Sequence, residues 1–141
     1  KKNYDPNVVN ANIDSEQFRR IFINLFENSI DALNDNGKIE ISTKIDFAKN
    51  KIFIRFSDDG TGIPIADRDK LFLPHFTTKK RGTGLGLAIV NRIIVDHSGT
   101  ITVRNNHPKG TTFEIQIPRT HVPFNRESAT PKIKKRTFSP F

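Results

Sequence analysis

From Leu85 to Val95 the chain leaves a helix almost no polar face: Leu85, Leu87, Ala88, Ile89, Val90, Ile93, Ile94 and Val95 surround it on nearly all sides. Such a helix has to be buried, and the pattern predicts one over roughly 84–98, lying largely covered against a sheet. The run is entered through Gly82, Gly84 and Gly86, three glycines at alternate positions. A loop stripped of side chains that opens into a helix suits an anion, because backbone N–H groups and the helix N-terminus then point at one spot. Two familiar phosphate loops do not match. The G-x-G-x-x-G pattern needs glycine where Leu87 stands, and the only Gly-Lys pair, Gly37-Lys38, continues into Ile39.

The rest of the chain supplies the sheet. "KIEISTKIDF" (Lys38 to Phe47) and "KIFIRFSDDG" (Lys51 to Gly60) alternate apolar with polar residues and predict an antiparallel hairpin turning at Lys49-Asn50. "TITVRN" (Thr100 to Asn105) and "GTTFEIQIP" (Gly110 to Pro118) predict a second hairpin, and Val8 to Ile13 a short edge strand. Between the hairpins, 60–82 reads as a loop. An earlier helix starts at Asp14 as N-cap, with Gln17 as its capping-box partner, and runs to Gly37. Phe18, Ile21, Phe22, Leu25, Phe26, Ser29, Ile30 and Leu33 form its inward stripe, while Arg20, Asn24, Glu27, Asn28 and Asp31 share a polar flank. The sum is an α+β chain with helices layered on a mixed sheet.

Length bounds this to a single domain, and 12 Phe among 35% hydrophobic residues suffice for a core. No apolar stretch nears the roughly 20 residues of a membrane span, so the chain is expected to carry neither a span nor an export leader. With no cysteine there are no disulfides or thiolate metal sites. The net charge of +8 is concentrated: 119–141 holds six basic residues and one acidic, including "KIKKR" (Lys132 to Arg136), leaving only +3 for 1–118. That division predicts a globular 1–118 and a basic, disordered tail over 119–141. Nucleic acid is not expected as a partner.

Three features then stand in order: an asparagine-bearing helix, Asp58-Asp59-Gly60-Thr61-Gly62 at a strand end, and the glycine loop entering a helix. On these the sequence resembles the ATP-binding catalytic domain of bacterial sensor histidine kinases, which shares the Bergerat fold of gyrase and mismatch-repair ATPases. "NLFENSIDAL" (Asn24 to Leu33) resembles the asparagine box, and "DDGTGIP" (Asp58 to Pro64) the first glycine box. "LFLPHFTTK" (Leu71 to Lys79) resembles the phenylalanine box, "GTGLGLAIV" (Gly82 to Val90) the second glycine box, and "KGTTFEIQIP" (Lys109 to Pro118) the last strand. The match covers about 8–118, and the "FTTK" form is most similar to the nitrogen-regulation type. His75 and Ser98 depart from the usual pattern, where a second aromatic and a glycine are more common. The resemblance implies a two-layer α/β sandwich whose mostly antiparallel mixed sheet is covered on one face by helices.

It also implies ATP and Mg²⁺ as ligands. Asp58 would accept from the adenine amino group, a task suited to a group that only accepts. Gly60 and Gly62 would let the base lie on backbone beside Ile63. Asn28, with Asn24 one turn earlier, would turn amide oxygens to Mg²⁺, Asn28 being the metal ligand. Gly82, Gly84 and Gly86 would offer N–H groups to phosphates, with Lys79, Lys80 and Arg81 adding charge from a lid over 64–81. Asp31, Phe76, Thr77, Thr83, Leu85 and Thr111 complete the implied nucleotide contacts, and Asn28, Asn24 and Lys79 the catalytic set.

The implied reaction moves the ATP γ-phosphoryl group to a histidine on a separate dimerisation domain, from which a response regulator receives it. No histidine here sits in the setting expected of that acceptor: His75, His97, His107 and His121 fall in the lid, a helix end, a turn and the tail. The implied location is cytoplasmic, as part of a membrane-bound sensor. A gyrase-like or mismatch-repair-like hydrolase is the alternative, but its general-base Glu would stand where Asn24 is, and Glu27 is expected about 100° away from Asn28. A nucleotide-binding regulatory module with a basic tail is a third reading.

Overall fold

A computed structural model of the chain describes residues 1–8, 11–34, 36–79 and 82–119. In chain order the elements are β1 (Lys2–Asn3), α1 (Ser15–Leu33), β2 (Ile39–Asp46), β3 (Lys51–Asp58), a short 3₁₀ helix (Ile65–Lys70), α2 (Gly86–Asp96), β4 (Thr100–Asn105) and β5 (Thr111–Pro118). The loop expected over 60–82 therefore contains a turn of helix. The basic tail lies outside the described residues beyond Arg119.

Both expected hairpins form, and β3 pairs antiparallel with β5 to join them into one sheet of order β1-β2-β3-β5-β4. Alternation decides which side chains meet. Ile41, Phe56, Phe113 and Val103 stand opposite one another across four strands, and Thr43, Ile54, Ile115 and Ile101 make the next row. Because successive strand residues point to opposite faces, these rows lie on one face, where Phe18, Ile21 and Leu25 of α1 and Val90, Ile93 and Ile94 of α2 close the core. The other face carries charge, with Glu114 accepting from Arg55 at 3.2 Å and from Arg104 at 3.1 Å.

Val8 and residues 11–13, the described part of the expected edge strand, lie in no strand. β1, parallel to β2, takes that place, and Lys1 and Asp5 occupy the neighbouring edge groups: Lys1 O accepts from Ile41 N, and Asp5 Oδ2 accepts from Ile45 N. With the edge already paired, Val8, Ala11 and Ile13 pack as half-buried side chains on the core.

α1 starts as expected at Asp14, whose Oδ1 accepts the Gln17 N–H at 3.0 Å. The capping box is rearranged. Gln17 Nε2 donates to the Asp14 carboxylate, and the Asp14 N–H goes to His97 Nε2 at 3.0 Å. His97 Nδ1 lies 2.7 Å from Ile93 O, so that nitrogen donates while Nε2 accepts. One imidazole thus ties the C-terminus of α2 to the N-terminus of α1. α1 ends at Leu33, short of Gly37, because Asn34 takes the left-handed conformation with φ 46°. Ile30, expected in the inward stripe, is 62% exposed.

α2 is shorter than expected and buried on one side only. Val90, Ile93 and Ile94 face the core, whereas Val95 is 54% exposed and Leu85 forms the cap. The reason is geometric: at 100° per residue, Val95 lies 200° round from Ile93, beyond what one sheet and one neighbouring helix cover.

Candidate functional site

The C-terminal end of β3 brings Asp58 to the inner end of a cleft of about 910 Å³. Asp58 is 3% exposed. Its Oδ1 accepts from Gly60 N at 3.0 Å and Thr111 N at 3.1 Å, and its Oδ2 accepts from Ser29 Oγ at 2.8 Å. A carboxylate can be buried at this depth because charge-assisted hydrogen bonds replace its hydration. Its own carbonyl is fixed by Asn106 Nδ2 at 2.8 Å. Gly110 makes the approach possible: its φ is 105°, and a Cβ there would overlap the Asp58 carbonyl.

The polar flank of α1 forms one wall, with Asn24, Glu27, Asn28 and Asp31 all bordering the cleft. Glu27 and Asn28 stand at the two ends of this flank, about 100° apart as expected, and the cleft is wide enough to be bordered by both. Asn24 Nδ2 donates to Arg20 O at 2.8 Å, which leaves its amide oxygen facing Gly86. Asn28 Oδ1 accepts from Lys79 Nζ at 2.9 Å, and the same ammonium pairs with Asp31 Oδ2.

The segment before α2 forms the opposite wall. Gly82, Gly84 and Gly86 border the cleft, and each also sits against another residue: a Cβ would stand 2.5 Å from Thr77 Oγ1 at Gly82, would strike the His75 backbone at Gly84, and would stand 2.5 Å from Asn24 Oδ1 at Gly86. Close packing thus accounts for part of the glycine spacing, and the amides ahead of the first helical donor, Ile89 N, account for an anion-compatible end. His75 is exposed, with φ 66° and its N–H on Gly84 O.

Of the residues singled out from the sequence, Gly62, Ile63, Phe76, Thr77, Thr83 and Thr111 also border the cleft. Gly60 does not: it is buried against Ala32 O, which also accepts the Thr61 N–H. Leu85 does not either, and Lys80 and Arg81 lie outside the described residues. Sequence reasoning missed Ser29, which it counted with the apolar stripe. A lone hydroxyl within an otherwise apolar helical stripe was the available signal, since a buried polar group needs a partner; the structure leaves it 1% exposed. Thr61, Leu71, Thr78, Leu87 and Phe113 also line the cleft without having been singled out.

A buried strand-end carboxylate, an asparagine-bearing helix and a glycine loop around one cleft on a helix-covered mixed sheet define an ATPase-type nucleotide-binding domain. The family model described as histidine kinase-, DNA gyrase B- and HSP90-like ATPase matches residues 13–121, and the chain belongs to that family as a histidine-kinase-type ATP-binding catalytic domain. The sensor histidine kinase ZraS of Escherichia coli is 39% identical over 105 residues, covering 74% of this chain and 22% of ZraS. The sensory histidine kinase/phosphatase NtrB of Rhodobacter capsulatus is 33% identical over 128 residues, covering 83% of this chain and 36% of NtrB. The chain thus spans only about a fifth to a third of the length of these relatives. The nucleotide-free catalytic domain of histidine kinase ThkA superimposes with a TM-score of 0.76 at 35% identity, covering 85% of this chain and 79% of that one. ThkA in complex with the response regulator protein TrrA gives 0.70 at 32% identity, over 84% of this chain and 33% of that one.

Proposed function

We propose that this domain binds MgATP in the cleft and presents its γ-phosphoryl group to a histidine on a separate dimerisation domain, from which a response regulator takes it. The observation that carries the reading is Asp58. Of a carboxylate's roughly four acceptor positions, the protein fills three, and the remaining position is available to one donor such as the adenine amino group. Gly62 and Ile63 form the adjoining wall.

At the other end of the cleft the donor set suits magnesium. Among the described residues no three His, Asp or Glu side chains gather as a metal cage. The amide oxygen of Asn28 is the kind of single neutral ligand that magnesium accepts when phosphates and water complete its shell. Magnesium would neutralise phosphate charge in a cleft bordered by Glu27, Asp31 and Asp58 against Lys79. Asn28 holds the metal, Lys79 and the amides opening α2 draw the phosphates, and Asn24 orients the start of α2. The acceptor's imidazole nitrogen is itself a nucleophile, so Asn24 serves where a hydrolase would need a Glu. The likeness to sensor histidine kinases supports a place on the cytoplasmic side of a sensor; among the described residues no helix is long and apolar enough to cross a membrane.

The test mixes the domain with MgATP and the histidine-bearing domain of its own kinase. Wild type should label that histidine, Asn28→Ala should not, and Glu27→Gln should retain most of the rate. Hydrolysis by the domain alone at about 1 s⁻¹, abolished by Glu27→Gln, would replace the kinase reading with the hydrolase one.

A further inference from the structure

Lys79 makes a contact that nucleotide binding has to undo. Its ammonium comes from the segment between the 3₁₀ helix and α2 and sits on two α1 side chains one turn apart, at 2.9 Å from Asn28 Oδ1 and paired with Asp31 Oδ2. An amide oxygen and a carboxylate oxygen converging on one small cation form half of a cation site, and here the chain fills it with its own ammonium.

We propose that Asp31 is a positioning residue that holds Lys79 on Asn28 in the nucleotide-free protein, so that Asn28 Oδ1 becomes available to magnesium only as Lys79 moves to the phosphates. This rests on the nucleotide reading of the cleft. Asn28 Oδ1 cannot keep a short contact to an ammonium and serve a divalent ion at the same time, because the two cations repel. The exchange is feasible because the holding pair is weak: Lys79 and Asp31 side chains are 41% and 58% exposed, and such pairs shift an equilibrium by about fivefold at most. A triphosphate presents several charges against the single charge of Asp31.

The exchange also reaches the backbone. Lys79 N donates to Thr77 Oγ1 at 3.0 Å, Gly82 N donates to Lys79 O at 3.3 Å, and Gly82 packs against Thr77. Lys79 is therefore tied to Thr77 and Gly82, both of which border the cleft, so moving it bears on the phosphate end. The segment has two tethered positions, one on α1 and one on the nucleotide.

The test is Asp31→Asn in the whole 141-residue chain, a change that keeps the shape and removes the charge at an exposed position. Without nucleotide, hydrogen exchange at Thr77 to Lys79 and Gly82 should become faster than in wild type. By calorimetry MgATP should bind about two- to fivefold more tightly, since no tether is broken and one charge repelling the phosphates is gone. Lys79→Met should show the same fast exchange but weaker MgATP binding, separating the tether from the phosphate contact. Unchanged exchange in Asp31→Asn overturns the proposal, as does weaker MgATP binding, which would make Asp31 a ligand of the metal. If wild type binds no MgATP, the reading of the cleft fails and this inference with it. If wild type binds and Asp31→Asn behaves identically, only the inference fails.

Discussion

The Asp58 carboxylate accepts two backbone N–H groups on one oxygen and the Ser29 hydroxyl on the other, so its substitutions separate the proposed base recognition from folding. Asp58→Ala orphans all three donors, each costing roughly 1–3 kcal/mol, and is expected to unfold much of the protein. Asp58→Asn is the informative change. Its amide oxygen still takes Gly60 and Thr111, and its amide nitrogen donates to Ser29 Oγ, which accepts once its own proton turns away. Toward the cleft a donor then replaces an acceptor. Binding of ADP should fall about tenfold or more while inosine diphosphate, with a carbonyl in place of the adenine amino group, gains relative to it. Calorimetry with both nucleotides checks this, and an unchanged ratio would remove Asp58 from the base site. Ser29→Ala keeps the acceptor but strips it of a charge-assisted bond in a fully buried place. The expected cost is about 1.5–3 kcal/mol of stability, read from denaturant unfolding.

At the scale of elements, α2 carries a strained end. Ser98 has φ 57°, with its N–H on Val95 O and the Gly99 N–H on Ile94 O, both at 2.9 Å, which is the left-handed stop that glycine fills at no steric cost. Ser98→Gly should therefore stabilise the protein by about 1 kcal/mol, raising Tm by roughly 3–4 °C. A calorimetric scan showing no rise would mean that Ser98 gains as much from its surroundings as the backbone loses. The two helices are joined at this same end, where His97 accepts from Asp14 N and meets the Phe18 ring edge-on with centroids 5.0 Å apart. α1 thereby keeps its polar flank turned to the cleft while Ile21 and Leu25 stay fully buried.

For the molecule as a whole, the Asp5 carboxylate extends the β1–β2 edge by accepting from Ile45 N beyond the end of β1. The N–H groups of Ile45 and Asn7 hold Asp5 below the ordinary carboxylate pKa. The folded protein keeps Asp5 ionised to lower pH than the unfolded chain does, so its contribution is complete above the unfolded value of about 3.9 and is lost as pH falls through the lower folded value. A carboxyl-carbon NMR titration should place Asp5 below that value, and Asp5→Asn should flatten the acid limb of stability against pH. A titration at the ordinary value would mean the edge is held by β1 alone.

Local pattern was enough wherever a residue's role depends on neighbours a few positions away. Alternation marked β2 to β5 and their inward faces, three-and-four spacing marked α1 and its polar flank, and the ordered boxes from Asn24 to Pro118 identified the family. The limits of the helices were less legible, because Asn34 stops α1 through a conformation that glycine would have signalled more plainly at Gly37. β1 is two residues long, too short for any period to show. What only the tertiary structure decided are the pairings between distant parts: β3 with β5, Ser29 with Asp58, Asp14 with His97, and Lys79 with Asn28 and Asp31. Side-chain type and spacing say which face a residue prefers, but a hydrogen bond across 29 to 83 positions exists only once the sheet order and the helix-on-helix packing have brought its two ends together.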